Sequence, residues 1–138
     1  MSEIRTFEDL EVWKRGCNLA VDLHVAVAES KDFAVRNQME RASLSIPSNI
    51  AEGAERDTTP DFIRFLRYSK GSCGELRTQL YVSERIRQRL GAPPIPESKG
   101  MIQETREPFP HDPSPHHLPP KPPNAKKNNP PTHQTTTH

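Results

Sequence analysis

The sequence predicts an all-α protein, an antiparallel up-down four-helix bundle with a short fourth helix and a disordered C-terminal tail. Through residues 1–107, apolar side chains recur every three or four positions, which is the spacing of amphipathic helices. No stretch of useful length alternates between apolar and polar residues as a strand would. Residues 108–138 contain ten of the fifteen prolines and only three hydrophobic residues, too few to offset the entropy of ordering that segment.

The first predicted helix begins at Thr6 and runs to about Ser30. Thr6 and Asp9 have the spacing of a capping box, in which each side chain bonds the backbone of the other. The apolar stripe behind this start is broad, so one side of the helix is expected to face the core. Its members are Leu10, Trp13, Cys17, Ala20, His24 and Val27, widened by Leu19 and Leu23.

The second predicted helix runs from about Asp32 to Glu52, with Gly53 as its C-terminal stop. Pro47 lies inside it and removes one backbone hydrogen bond. We therefore expect a kink or a break between Ser43 and Pro47. Polar side chains that could satisfy the freed backbone groups lie close by: Ser45, Ser48 and Asn49.

The third predicted helix has the clearest boundaries. Thr59 is placed to cap it, Pro60 occupies its first helical position, and Gly91 ends it. Gly71 and Gly74 lie in its middle, where glycine costs about 1 kcal/mol relative to alanine. This cost predicts that a neighbouring helix approaches closely at the two glycines.

A fourth helix is predicted to begin near Pro96 and to stop at Pro108, with Met101, Ile102 and Thr105 facing inward. It has about three turns and is short for a partner to helices of this length. Short loops favour antiparallel neighbours. Residues 1–107 are therefore expected to form one four-helix domain, followed by a Pro/His/Asn/Thr-rich tail over 108–138.

The composition of the chain bears on its location. Residues 1–107 carry 16 basic and 17 acidic side chains, so the predicted domain is nearly neutral. No segment approaches the roughly 20 apolar residues of a membrane span, and the N-terminus lacks the apolar stretch of a signal peptide. The chain has two cysteines, Cys17 and Cys73, which lie far apart in sequence. This favours reduced thiols over a disulfide framework. We expect a cytoplasmic protein that does not associate with a membrane.

One outer face of the third helix is basic. On an ideal helix its members lie within an arc of about 140°, opposite the apolar face, and span nearly 40 Å. Such a strip can follow a phosphate backbone, and the alternative is a solvated face that pairs with acids on neighbouring helices. Tyr68 and Tyr81 are not expected to form a stacking platform with it. The candidate nucleic-acid-binding residues are Arg64, Arg67, Lys70, Arg77, Arg85 and Arg89.

Catalysis and metal binding find little support in the sequence. Cys73 and His24 are the one conceivable nucleophile and base, but both lie on apolar stripes and no third group orients the base. We therefore predict a non-enzymatic protein with no catalytic residues, no metal site and no cofactor. Two clusters are not expected to form a specific metal site. One lacks histidine or cysteine at matching spacing: the loop acids Glu52, Glu55, Asp57 and Asp61. In the other nothing fixes the geometry of the ligands: the tail histidines His111, His116, His117, His133 and His138.

Four blocks of the sequence together carry a family resemblance. They are Phe7-Glu8-Asp9-Leu10-Glu11-Val12-Trp13, then Arg41-Ala42-Ser43-Leu44 leading into Ser45-Ile46-Pro47-Ser48-Asn49-Ile50-Ala51-Glu52-Gly53, then Phe62-Ile63-Arg64-Phe65-Leu66, and Lys70-Gly71-Ser72 with Glu75-Leu76-Arg77-Thr78-Gln79-Leu80. The chain resembles, over roughly residues 5–107, the bacterial four-helix-bundle family of 23S rRNA intervening-sequence proteins. The accessory variability protein of diversity-generating retroelements is a relative of that family.

The resemblance implies a bundle that assembles as a homopentamer. The retroelement relative binds nucleic acid and a reverse transcriptase, so RNA, DNA or such an enzyme are the partners that the resemblance suggests. The expected function is a non-enzymatic oligomeric interaction protein that binds RNA or DNA through the basic face of the third helix. The alternative is a structural or protein-partner adaptor without nucleic acid. The motif from Ser45 to Gly53 is interpreted as structural, with Asn49 and Glu52 either capping the kinked helix or contacting another subunit.

The resemblance fades at the end of the predicted bundle. Family members continue the fourth helix for several turns, whereas this chain becomes rich in proline after Glu107. One hypothesis is a shifted reading frame, motivated by the loss of periodicity and likeness at one point. Translation of the other two frames past codon 107 tests it, since the absence of a helical continuation in both would refute it. An evolved tail is the alternative.

Overall fold

The computed structural model of the chain describes residues 5–107 and 119–123. The first range contains a 3-10 turn, Phe7–Asp9, and four α-helices, and neither range contains a strand. The predicted all-α class is confirmed. Of the predicted tail, residues 119–123 have no regular secondary structure, and the remainder lies outside the described residues. The helices are α1 Glu11–Val27, α2 Phe33–Ala54, α3 Thr59–Leu90 and α4 Ser98–Arg106.

The predicted cap at Thr6 holds a single turn and does not begin α1. The Asp9 carboxylate accepts hydrogen bonds from the backbone N–H groups of Arg5 at 3.0 Å and Thr6 at 3.2 Å, and these bonds lower the pKa of Asp9. Leu10 then adopts an extended backbone with ψ 126°, which buries its side chain in the core. The prediction of one helix from Thr6 to Ser30 was therefore wrong at both ends, because α1 runs from Glu11 to Val27.

The buried face of α1 is rotated relative to the predicted stripe. Its centre follows Val12, Gly16, Leu19, Leu23 and Val27, which are all buried. Three members of the predicted stripe lie at its half-buried margin instead: Trp13, Cys17 and His24. Periodicity located the apolar side of the helix, but α2 and α4 decide which line of residues lies deepest.

Helix α2 passes through Pro47 without a break. Asp32 caps the helix by accepting the N–H of Val35, and the helix continues to Ala54. Of the predicted kink or break between Ser43 and Pro47, the break is wrong and the kink stays a prediction. Gly53 was predicted as the stop, and that prediction was also wrong, because Gly53 lies inside the helix and is buried.

Helix α3 is capped one residue earlier than predicted. Thr58, not Thr59, supplies the cap, and its hydroxyl oxygen accepts the N–H of Asp61 at 3.3 Å. Gly91 ends the helix as expected. It has φ 65° and ψ 22°, the left-handed conformation that glycine adopts without a Cβ penalty.

Glycines do allow close packing, but not the two that were predicted. A Cβ on Gly71 would meet no atom within 4 Å, and one on Gly74 would meet only a guanidinium nitrogen of Arg77 at 4.0 Å. The close approaches are at Gly53, where a Cβ would lie 2.7 Å from Cβ of Phe65, and at Gly16, where it would lie 3.3 Å from Ile46. Both glycines lie in helix pairs whose backbones pack tightly.

Contacting helices run in opposite directions along the chain. Along α2 and α3, the Met39 sulfur accepts from Ser83 and the Ile46 carbonyl accepts from Ser69 at 2.8 Å, so positions rise in one helix as they fall in the other. Such register is the mark of antiparallel packing. The same order holds for α1 with α2 and for α3 with α4: Gly16 with Pro47, His24 with Glu40, Ile95 with Glu84, and Arg106 with Tyr81.

The fourth helix is short, as predicted. Its nine residues extend about 14 Å, whereas the 32 residues of α3 extend about 48 Å. Met101 and Thr105 are buried, and Arg15 of α1 donates two hydrogen bonds to Glu104 at 2.7 and 3.1 Å. This contact raises the pKa of Arg15. Helix α4 therefore covers only the part of α3 near its C-terminal end.

Candidate nucleic-acid interface

The motif from Ser45 to Gly53 connects α2 to its neighbours. Ile46, Pro47 and Ile50 are buried, and the Ser45 hydroxyl lies 2.8 Å from the Ser72 hydroxyl of α3. The backbone around Pro47 gains side-chain donors, because the Ile46 carbonyl accepts from Ser69. The Ser45 carbonyl also accepts from the Asn49 amide at 2.7 Å. The carbonyl that loses its donor to Pro47 is that of Ser43, so these bonds tie the motif to α3 and to its own helix without replacing the missing one.

The remaining polar residues of the motif have local roles. Glu52 pairs with Arg56 at 2.9 Å, one turn further along the helix. Ser48 is exposed, and Ala51 is half-buried. The described contacts of the motif are therefore packing, hydrogen bonds and one ion pair, and a role of Asn49 or Glu52 in contacts with another subunit stays a prediction.

The six predicted basic residues lie on one outer face of α3. We call this face the basic strip: Arg64, Arg67, Lys70, Arg77, Arg85 and Arg89. All are exposed except Arg77, which is half-buried. The buried line of α3, which includes Phe62, Leu66, Leu76 and Leu80, lies on the opposite side. At 1.5 Å per residue the strip is about 37 Å long.

Most cations of the basic strip have no acidic partner in the described part of the chain. Arg64 is the exception, since it lies 3.3 Å from Asp61 on its own helix and 5.2 Å from the centre of the Phe65 ring. The alternative from the sequence required acids on neighbouring helices, and no described residue plays that part. Ion pairs are absent, within residues 5–107 and 119–123, from Arg67, Lys70, Arg77, Arg85 and Arg89.

Three arginines elsewhere in the bundle are paired with acids. Arg15 binds Glu104, Arg36 lies 2.6 Å from Glu40, and Arg56 lies 2.9 Å from Glu52. Helix α3 has seven basic and three acidic residues, so this helix is net positive within a bundle that is nearly neutral overall. A positive field on one face is what attracts a polyanion.

One cation of this region was missed by the sequence analysis. Arg106 of α4 donates a hydrogen bond to the hydroxyl of Tyr81 at 2.7 Å, which brings it beside the strip. The prediction that Tyr68 and Tyr81 form no stacking platform with the basic residues stays a prediction. Tyr81 lies one helical turn from both Arg77 and Arg85. Only the docking of α4 reveals this contact, because 25 residues separate Arg106 and Tyr81.

Cys73 and His24, the candidate nucleophile and base, have separate environments. Cys73 is buried, and burial raises its pKa to about 12, so the thiol stays protonated at neutral pH. His24 lies with Nδ1 2.7 Å from the Ala20 carbonyl and Nε2 3.7 Å from Glu40. Burial also raises the pKa of Cys17. The described contacts do not join these residues into a catalytic group.

The described residues also bear on metal binding and on membrane spanning. Among them, no group of three or more histidine, cysteine, aspartate or glutamate side chains could hold a metal ion. Two of the loop acids considered earlier form ion pairs instead: Glu52 with Arg56, and Asp61 with Arg64. The tail histidines lie outside the described residues. None of the described helices is long and apolar enough to cross a membrane.

The fold and this face define a class: small all-helical proteins that present a row of cations on one long outer helix. The family model of the 23S rRNA-intervening sequence protein matches residues 8–89. That match covers more than half of the chain, so the chain belongs to the 23S rRNA-intervening sequence protein family. The resemblance inferred from the motifs is thereby confirmed. A comparison with curated proteins found no match.

Proposed function

We propose that this protein is a non-enzymatic, oligomeric interaction protein that binds RNA or DNA through the basic strip of α3. The observation that carries the proposal is the row of cations without acidic partners among the described residues. When a row of exposed cations binds a phosphate backbone, counterions are released, and this release favours binding.

The nucleic-acid proposal predicts a salt-dependent affinity that belongs to the strip. A variant with Arg67, Arg85 and Arg89 replaced by glutamine should bind a structured RNA more weakly. The slope of log affinity against log salt should fall by about 2–3, since each lost phosphate contact removes about 0.7–0.9. Fluorescence anisotropy across a salt series measures both quantities.

A matched control removes the same charge from other faces. Lys31, Arg41 and Lys99 are exposed, and their replacement by glutamine should leave the salt slope nearly unchanged. Equal losses in the two variants would mean that net charge, and not the strip, governs binding. Failure of the unmodified protein to bind RNA or DNA at low salt would refute the proposed function.

Assembly is the second part of the proposal. Apolar side chains are exposed on the outer side of α1, Val21 at 62% and Val25 at 73%. Burial of such groups against further copies is favourable, and a ring of five is what the family resemblance implies. Light scattering on the full chain should give the mass of a pentamer, and a monomer over the whole concentration range would refute this part.

A further inference from the structure

Tyr81 lies where α3 meets the end of α4. Its hydroxyl accepts a hydrogen bond from Arg106 at 2.7 Å, and the residue remains 43% exposed. Arg106 forms no ion pair with any residue that the structure describes. A phenol therefore holds this guanidinium in place without neutralising it.

Two more guanidinium groups belong to the same neighbourhood. Arg77 precedes Tyr81 by four residues and Arg85 follows it by four, so all three lie on one side of α3, one turn apart. Neither arginine has an acidic partner among the described residues. Three cations from two helices thus surround one partly exposed aromatic ring.

Gly74 lies two helical turns before Tyr81 on the same side of α3 and is half-buried. Helical side chains lean toward the N-terminus, so the Tyr81 ring leans toward Gly74. A Cβ at Gly74 would meet only the Arg77 guanidinium, at 4.0 Å. The described atoms nearest to that position thus belong to a cation of the basic strip.

The geometry points to a single-stranded nucleic-acid site centred on Tyr81. An unpaired base stacks on the exposed part of the ring above Gly74, and the adjoining phosphates accept hydrogen bonds from Arg77, Arg85 and Arg106. Aromatic rings bind unpaired bases in this way, and arginine matches phosphate oxygens well. The inference rests on the proposed function and makes it specific, because a base pair within a duplex does not offer its face to a side chain.

The test compares one short unstructured RNA with the same RNA annealed to its complement. Tyr81→Ala should lower the affinity for the single strand by about 5- to 100-fold and leave the affinity for the duplex within about twofold. Tyr68→Ala is the matched control, since Tyr68 is 51% exposed on α3 but contacts Phe65. Tyr81→Phe keeps the ring and releases Arg106, so it should retain most of the preference for the single strand. Circular dichroism confirms that each variant is folded.

The outcomes separate this inference from the proposed function. A selective loss of single-strand binding in Tyr81→Ala, and not in Tyr68→Ala, supports the site. If the unmodified protein binds both probes and Tyr81→Ala changes neither affinity, or both equally, the site at Tyr81 is refuted and the basic strip stands. If the unmodified protein binds neither probe at low salt, both the site and the proposed function fall.

Discussion

Replacing Gly53 or Gly71 by alanine is expected to change the stability of the bundle in opposite directions. At Gly53 the new Cβ would lie 2.7 Å from Cβ of Phe65 and 3.2 Å from the Phe62 carbonyl oxygen. Neither atom can move without shifting α3, and overpacking of this kind costs about 1–3 kcal/mol. Alanine recovers about 1 kcal/mol of helix propensity, so we expect a net loss of about 0–2 kcal/mol.

Gly71 provides the matched control, because the same methyl group meets no atom within 4 Å there. Gly71→Ala should raise the free energy of unfolding by about 0.5–1 kcal/mol through helix propensity alone. Urea unfolding followed by circular dichroism, at one protein concentration, gives both values if the slope m is unchanged. Stabilisation by Gly53→Ala would show that α2 and α3 are not packed as closely as described.

Leu76→Ala is expected to have the larger effect on stability. Leu76 is fully buried in the middle of α3, and removing a buried leucine side chain leaves a cavity that costs about 2–5 kcal/mol. A domain of this size has only about 5–15 kcal/mol of stability in total. The variant should therefore unfold at much lower temperature, by about 4–8 °C for each kcal/mol lost.

Leu90→Ala makes the same chemical change near the end of α3, where the side chain is 77% exposed. Its effect should stay within about 0.5 kcal/mol. Thermal unfolding of the two variants side by side measures the difference. Similar losses in both would contradict the described core, since burial is then not what distinguishes the two leucines.

Local signals placed the helices well where a cap or a stop acts through neighbouring residues. Gly91 ends α3 in the left-handed conformation that glycine favours, and the spacing of apolar residues predicted four helices. The errors arose where distant residues take part. Pro47 lies inside α2 without breaking it, buried beside Gly16 of α1. Gly53 does not stop α2, because its role is to admit Phe65.

The candidate site divides in the same way. The basic strip could be predicted because all six residues belong to one helix, and a periodic projection of one helix needs no knowledge of its neighbours. A projection of one helix could not reveal Arg106, because this residue belongs to α4 and reaches Tyr81 only after the chain turns back between α3 and α4. That five of the six strip cations lack an acidic partner among the described residues could also be seen only from the positions of the neighbouring helices.

The sequence by itself determined the all-α class, the number of helices, the basic face of α3 and membership of the family. These properties depend on periodicity and on short motifs, which act within a few residues of chain. The tertiary structure alone decided which glycines admit a neighbouring helix, how α2 accommodates Pro47, and how Arg106 joins Tyr81. Each of these depends on atoms that are far apart in sequence and meet only when apolar faces pack. Such contacts cannot be predicted from a local sequence pattern.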